Sequence, residues 1–280
     1  MVILHGSDFQ VGAPYRREVA NAFLDLARAS APDLVVIAGD LTQRAKASEY
    51  RVVRRFLDDL APLPVVVTPG NHDVPLYRLW ERLLTPYANW RTFIARELDT
   101  VTRVEGASVV ALNSSAPRRA IVCGRVDPPQ VDFARRAFAA APPEDLRVLV
   151  VHHHFLPTPD RQGGRPLPDA AALLRAFEDM GVDVILGGHV HQTHLRTSRE
   201  IVDGEGGGIP LVACGTTASS RGRGPELGVN SLNVVRLTGA GVEVVPHRFD
   251  PEVDHFVPGP ARHFTGRRPS PSAGLSRGDA

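Results

Sequence analysis

The sequence predicts an α/β fold, and three observations carry that expectation. Short apolar, β-branched runs alternate with amphipathic helical patterns. From about residue 209 the helical patterns give way to strands joined by glycine-rich turns. Ligand-type polar residues collect wherever the apolar runs end. The strands are read at 2–4 ("VIL"), 34–39 ("LVVIAG"), 64–70 ("PVVVTPG"), 147–154 ("RVLVVHHH") and 182–189 ("VDVILGGH"). Between them, Val19, Phe23, Leu24 and Ala27 share one helical face, as do Tyr50, Val53, Leu57 and Leu60, and later Ala170, Leu173, Leu174 and Phe177. This β-α-β rhythm implies a largely parallel sheet. The later runs "IPLVACG", "SLNVVRL" and "GVEVVPH" read as an antiparallel section. A helical insert at 76–98 carries both tryptophans.

Length and composition bound the rest. At 280 residues and 43% hydrophobic content the chain can bury one large core, and a single domain is expected over 1–257. Residues 258–280 are poor in apolar side chains and are expected to be disordered. The net charge of +1 gives no reason to expect a nucleic-acid complex or an anionic membrane surface as partner. Lys46 is the only lysine, so arginine is the default cation here and one arginine is weak evidence of a site. Two cysteines make no disulfide framework, which points to reduced thiols and a cytoplasmic setting. No apolar run reaches the length of a signal peptide or a transmembrane segment.

The function-bearing signal lies at the strand ends. Asp8 and Gln10 follow the first run, Asp40 ("GDLT") the second, and Asn71, His72 and Asp73 ("GNHD") the third. His152, His153 and His154 end the fourth, and His189 and His191 ("GGHVH") the fifth. Taken singly, each has a bland reading. "GD" after a strand serves as an N-cap, and paired histidines sit on surfaces. Together they coincide with the place where open parallel sheets bind ligands, the crevice beyond the carboxyl ends of the strands. Carboxylates, an amide and imidazoles in one crevice suit Mn²⁺, Fe or Zn²⁺.

The blocks "SDFQ", "GDLT", "GNHD", "VVHHHFLP" and "GGHVH", in that order, resemble the signature of the calcineurin-like metallophosphoesterase superfamily over roughly residues 1–220. One letter departs: Gln10 stands where the family has histidine. The resemblance implies a four-layer α/β/β/α sandwich with a centre of two divalent metal ions, Mn²⁺ foremost, with the later antiparallel strands in its second sheet. It implies one ion held by Asp8, Gln10, Asp40 and His191, and another by Asp40, Asn71, His152 and His189. His152 is chosen over His153 by matching "HHHFLP" to the family's "HHxxxP" form. The family chemistry is hydrolysis of a phosphate ester through a metal-bridging hydroxide. His72 would then act at the leaving group, as acid or charge stabiliser, and Asp73 would hold the loop.

The expected substrate is a small nucleotide-like phosphate ester, as in the similar class III cyclic-nucleotide phosphodiesterases and UDP-diacylglucosamine pyrophosphohydrolases. A nuclease of the superfamily and a non-catalytic scaffold with a degenerate site are the alternatives. Arg221 and Arg223, on the glycine-flexible loop "CGTTASSRGRGPELG", are candidates to bind the phosphate; a solvated arginine loop is the other reading. The 76–98 insert is either a lid whose Tyr77, Trp80 and Trp90 touch substrate, or helices packed onto the sheet.

Overall fold

The computed structural model describes residues 1–119, 122–158 and 164–266. In chain order the elements are β1 (Val2–Gly6), α1 (Arg17–Ser30), β2 (Leu34–Ile37), α2 (Ala47–Asp58), β3 (Val65–Val67), α3 (Leu79–Leu84), α4 (Ala88–Phe93), β4 (Thr100–Val104) and β5 (Ala107–Leu112). Then come α5 (Pro128–Ala139), β6 (Leu146–Val151), α6 (Ala170–Asp179), β7 (Val184–Gly187), β8 (His194–Thr197) and β9 (Pro210–Ala213). The chain closes with β10 (Ser231–Thr238), β11 (Gly241–Asp250), β12 (His255–Pro258) and β13 (Arg262–Thr265).

Two mixed sheets stack between helices. One has the order β12-β11-β10-β1-β2-β3, with β13 also on β11; the other runs β4-β5-β6-β7-β9-β8. The two-residue period of a strand explains why the apolar runs are unbroken. In β1 and β2, Leu4, Val35 and Ile37 face α1 and α2, where Val19, Phe23, Tyr50 and Val53 meet them. The alternate residues Ile3, Leu34 and Val36 face the other sheet, against Val109, Val148, Val150 and Leu186. On the far side, Val110, Leu149 and Val151 pack against Phe138 of α5 and Leu174 and Phe177 of α6. This is the expected α/β/β/α sandwich.

Strand allocation differs from the sequence reading. The antiparallel strands β10 and β11 extend the first sheet, β10 pairing with β1. The second sheet is made of the middle of the chain, its parallel core being β5, β6, β7 and β9. Apolar periodicity marks a strand but says nothing of its neighbour. The tail also departs from expectation: Arg262–Thr265 is a strand paired with β11. There the backbone ladder, with Phe264 against the inter-sheet core, orders a segment whose side chains are mostly exposed. Residues 267–280 of the expected disordered tail lie outside the described residues.

The insert divides in two. Pro86 follows α3, and α4 buries Trp90 against Tyr50, ring centroids 6.5 Å apart. By contrast α3 buries none of its residues, and Tyr77 and Trp80 are 73% and 75% exposed. Among the described residues no helix is long and apolar enough to cross a membrane.

Candidate metal centre

The carboxyl ends of β1, β2 and β3 meet those of β6 and β7 across the inter-sheet layer. The first two loops run side by side: Asp8 N donates to Gly39 O, Gln10 N to Asp40 O and Val11 N to Leu41 O. The third is fastened by Asp73, whose buried carboxylate accepts from the backbone N–H of Leu41, Thr42 and Gly70. Gly70 has to be a glycine, since a Cβ there would lie 2.1 Å from Asp40 Oδ1. Asp8 (φ 56°), Gln10 (47°), Asp40 (53°), His189 (74°) and His191 (59°) all have left-handed backbone, a region that costs a residue with a Cβ about 1 kcal/mol or more.

These loops assemble two cages around Asp40. In the first, His191 Nε2 lies 3.5 Å from Asp8 Oδ1. The terminal amide nitrogen of Gln10 lies 3.3 Å from Asp40 Oδ2 and 3.5 Å from His191 Nε2. In the second, His152 Nε2 is 3.5 Å from Asp40 Oδ1, and His189 Nδ1 is 2.9 Å from Asn71 Oδ1. Donor atoms held at about 2.0–2.2 Å from one ion sit about 3–3.5 Å apart, so the spacings are those of cation cages. Two of the inward atoms, Asp8 Oδ1 and His152 Nε2, are buried without a hydrogen-bond partner. Unpaired buried polar atoms are costly, and a cation removes that cost. The residues therefore fit the metal pair.

Tautomers agree with ligation. A carbonyl can only accept, so the 2.6 Å contact to Ala38 O puts the His152 proton on Nδ1 and leaves the Nε2 lone pair facing Asp40. His191 Nδ1 is 3.0 Å from the Thr216 hydroxyl, which leaves its Nε2 for the cage. Burial, opposed by Asp40 and reinforced by Arg223 and Arg221, lowers His191 to about 3; burial and the neighbouring histidines push His189 well down. Both are neutral at pH 7, the state a metal ligand needs. Burial disfavours the Asp40 anion, yet His152, His72 and the His72 N–H outweigh it and hold the carboxyl below its usual range. Asp8 is pushed well up by burial and by the Asp40 charge. Two carboxyls at one point without a cation repel, and a divalent ion would relieve that.

All seven expected ligands thus converge, with His72 beside them. His72 Nδ1 donates to Gln43 O at 3.0 Å, so its Nε2 accepts from Arg221 Nη1 at 3.1 Å. Arg223 donates its backbone N–H to His191 O. His153 shares the pocket with His152: its Nδ1 is 2.7 Å from the Ser114 hydroxyl, its ring centroid is 4.4 Å from that of His189, and its buried Nε2 lacks a partner, so it stands with His152 and His189 as a third imidazole able to face a cation. At Gln10, a half-turn of the amide places Oε1 where Nε2 stands, and the Ser219 hydroxyl, 3.5 Å from Oε1, serves either orientation because it both donates and accepts.

Residues 1–193 match the family model of the calcineurin-like phosphoesterases. The chain belongs to that family. Over 252 residues this phosphoesterase is 28% identical to a cAMP/cGMP dual specificity phosphodiesterase of Mycobacterium tuberculosis, covering 82% of this chain and 72% of that protein. It is 30% identical over 166 residues to a 3',5'-cyclic adenosine monophosphate phosphodiesterase of Haemophilus influenzae, covering 57% and 55% of the two chains. Its fold matches a dimetal phosphatase from Danio rerio with TM-score 0.61 at 11% identity, over 95% of this chain and 98% of that one.

Three supports of the phosphoesterase centre escaped the sequence reading: Thr216 behind His191, Ser219 behind Gln10 and Gln43 behind His72. Thr216 and Ser219 lie in the same "GTTASS" run as Thr217, which accepts the Ser7 N–H. A hydroxyl run directly before the arginine loop was the available signal.

Proposed function

We propose that this phosphoesterase hydrolyses a phosphodiester of a small nucleotide-like substrate, a 3',5'-cyclic nucleotide in the first instance, with two divalent cations, Mn²⁺ foremost. The observation that carries the reading is Asp40 between two groups of inward ligand atoms, Asp8 and His191 on one side and His152 and His189 on the other, with Asp8 Oδ1 and His152 Nε2 lacking a partner. The relatives named as cyclic-nucleotide phosphodiesterases support the substrate class. Bound there, two divalent cations supply a nucleophile at neutral pH and neutralise phosphoryl charge.

The remaining work falls to the chain's own groups. Asp8, Gln10, Asp40 and His191 hold one cation, and Asp40, Asn71, His152 and His189 the other. His72 faces the leaving oxygen. Its Nε2 accepts from Arg221, so a phosphoryl oxygen entering between them takes over the guanidinium and frees Nε2, which with a proton taken up from solvent donates to the leaving oxygen. Arg223 adds positive charge beside His191. The exposed Tyr77, with the Arg44 guanidinium 4.3 Å from its ring centroid, and Trp80 offer flat surfaces for a base at the rim.

The deciding measurement is turnover of cAMP, cGMP, a UDP-sugar lipid and bis(p-nitrophenyl) phosphate by protein reloaded with Mn²⁺, alongside its metal content. Hydrolysis of the cyclic nucleotides that stops on chelation is the expected result. Preference for the UDP-sugar lipid makes it a pyrophosphohydrolase. Full metal content without turnover of any ester makes it a scaffold.

A further inference from the structure

A second concave site lies beside the centre, between the insert and the segment after β5. It is a cavity of about 680 Å³, within the range of small-molecule sites. Its wall carries Arg91, Arg118, Arg119 and Arg125 and a single acid, Asp127. In a chain of 32 basic and 31 acidic residues that ratio is not the background. A concave wall of one sign concentrates its potential inside the hollow.

The cations are unequal. Arg125 is committed to Asp127, Nε to Oδ1 at 2.5 Å. Arg118 is positioned, not neutralised: its Nε donates to Leu83 O at 2.8 Å, leaving its other N–H groups to the cavity. Among the described residues, no ion-pair partner stands against Arg91 or Arg119. At the floor, Tyr87 donates its hydroxyl to Ser115 O and accepts from Asn113 Nδ2. Arg91 and Arg118 line the cavity with Tyr87, and Asp99 behind the floor accepts from Asn113 N and Gln130 Nε2. Ser115 joins the cavity to the centre, since its hydroxyl donates to Pro69 O, two residues before Asn71.

We propose that this cleft binds a phosphate-bearing small anion through Arg91, Arg118 and Arg119, outside the metal cages. Guanidinium forks match phosphate oxygens in pairs. Two sources share that chemistry, a distal phosphate on the substrate itself or a separate small phosphate compound, and the test has an arm for each.

Calorimetry of the full-length, chelator-treated protein with inorganic pyrophosphate reads the site without reference to hydrolysis, so its failure leaves the phosphodiesterase reading intact. One equivalent should bind, more weakly as salt rises. The Arg91→Ala/Arg119→Ala double variant should lose at least about tenfold in affinity while hydrolysing bis(p-nitrophenyl) phosphate at the parental rate. If the same variant also raises KM for the UDP-sugar lipid, whose diphosphate carries a second phosphate beside the one attacked, the anion is the substrate's far end. If KM is unmoved, it is a separate compound. Absence of pyrophosphate binding, or binding that survives in the double variant and disappears in Arg221→Ala, overturns the proposal.

Discussion

The two cages share Asp40 and differ in what surrounds it. The second pairs Asp40 with two imidazoles, His152 and His189, and the Asn71 amide. The first pairs it with Asp8, one imidazole, His191, and the Gln10 amide. Imidazole-rich sets suit Zn²⁺ and Fe, whereas oxygen-rich sets suit Mn²⁺ and Mg²⁺. The supports differ too. His152 is locked by a main-chain carbonyl at 2.6 Å, while Gln10 leans on the Ser219 hydroxyl at 3.5 Å. The comparison teaches that one substitution can leave a cage its shape and change its chemistry. On these ligand sets the first position should be the easier to empty and the oxygen-preferring one.

The comparison breaks most completely at Asp40. Asp40→Asn should strip both ions and reduce turnover by about 10³-fold or more, because a shared ligand removes the pair as a unit. Loss of only one equivalent of metal would show that the cages are independent.

His72 tests the opposite limit, a residue near both cages that holds neither ion. His72→Ala should retain full metal content and lose about 10²-fold in rate. The loss should be smaller for substrates with a low-pKa leaving group. Equal losses for good and poor leaving groups would remove His72 from the leaving-group oxygen.

Gln10 sharpens the asymmetry. Protein as purified should be under-occupied at the first position, and added Mn²⁺ should raise its rate. Gln10→His should tighten retention there about 10–100-fold after dialysis and turn its preference toward Zn²⁺ or Fe. If Gln10→Ala and Gln10→His both match the parent in metal content and rate, the amide points away from the ions.

The smallest effect should come from the arginine loop. Replacing Arg221 and Arg223 with Ala should raise KM about tenfold while both cages keep their metal. A change in metal content would mean that the loop supports His191 through its backbone more than it grips phosphate.

How far the sequence alone reaches depends on whether a residue's chemistry is out of place locally. "GNHD" and "GGHVH" were legible because amides and imidazoles at the end of an apolar strand have no packing role, and the order of the blocks was specific. Thr216, Ser219 and Gln43 were not, since a lone hydroxyl or carbonyl announces nothing until its partner is beside it. Arg221 reaches His72 across 149 residues of chain, a contact no local pattern records. Strand pairing failed for the same reason: β10 reads as a strand just as β6 does, and only tertiary structure places it on β1. The strand Arg262–Thr265 was missed because hydrogen bonding to β11, not side-chain burial, orders it. Within the insert, the two tryptophans are equivalent by composition, yet Trp90 is core and Trp80 is surface.

The left-handed backbone at Asp8, Gln10, Asp40, His189 and His191 bears on how quickly the centre can be filled. Hydrogen bonds to the Asp73 carboxylate and between the paired main chains hold the loops in these conformations. An arriving cation therefore finds rigid donors and meets no folding step. Such a centre should exchange its first metal with the surrounding pool without loosening the sheets beneath it.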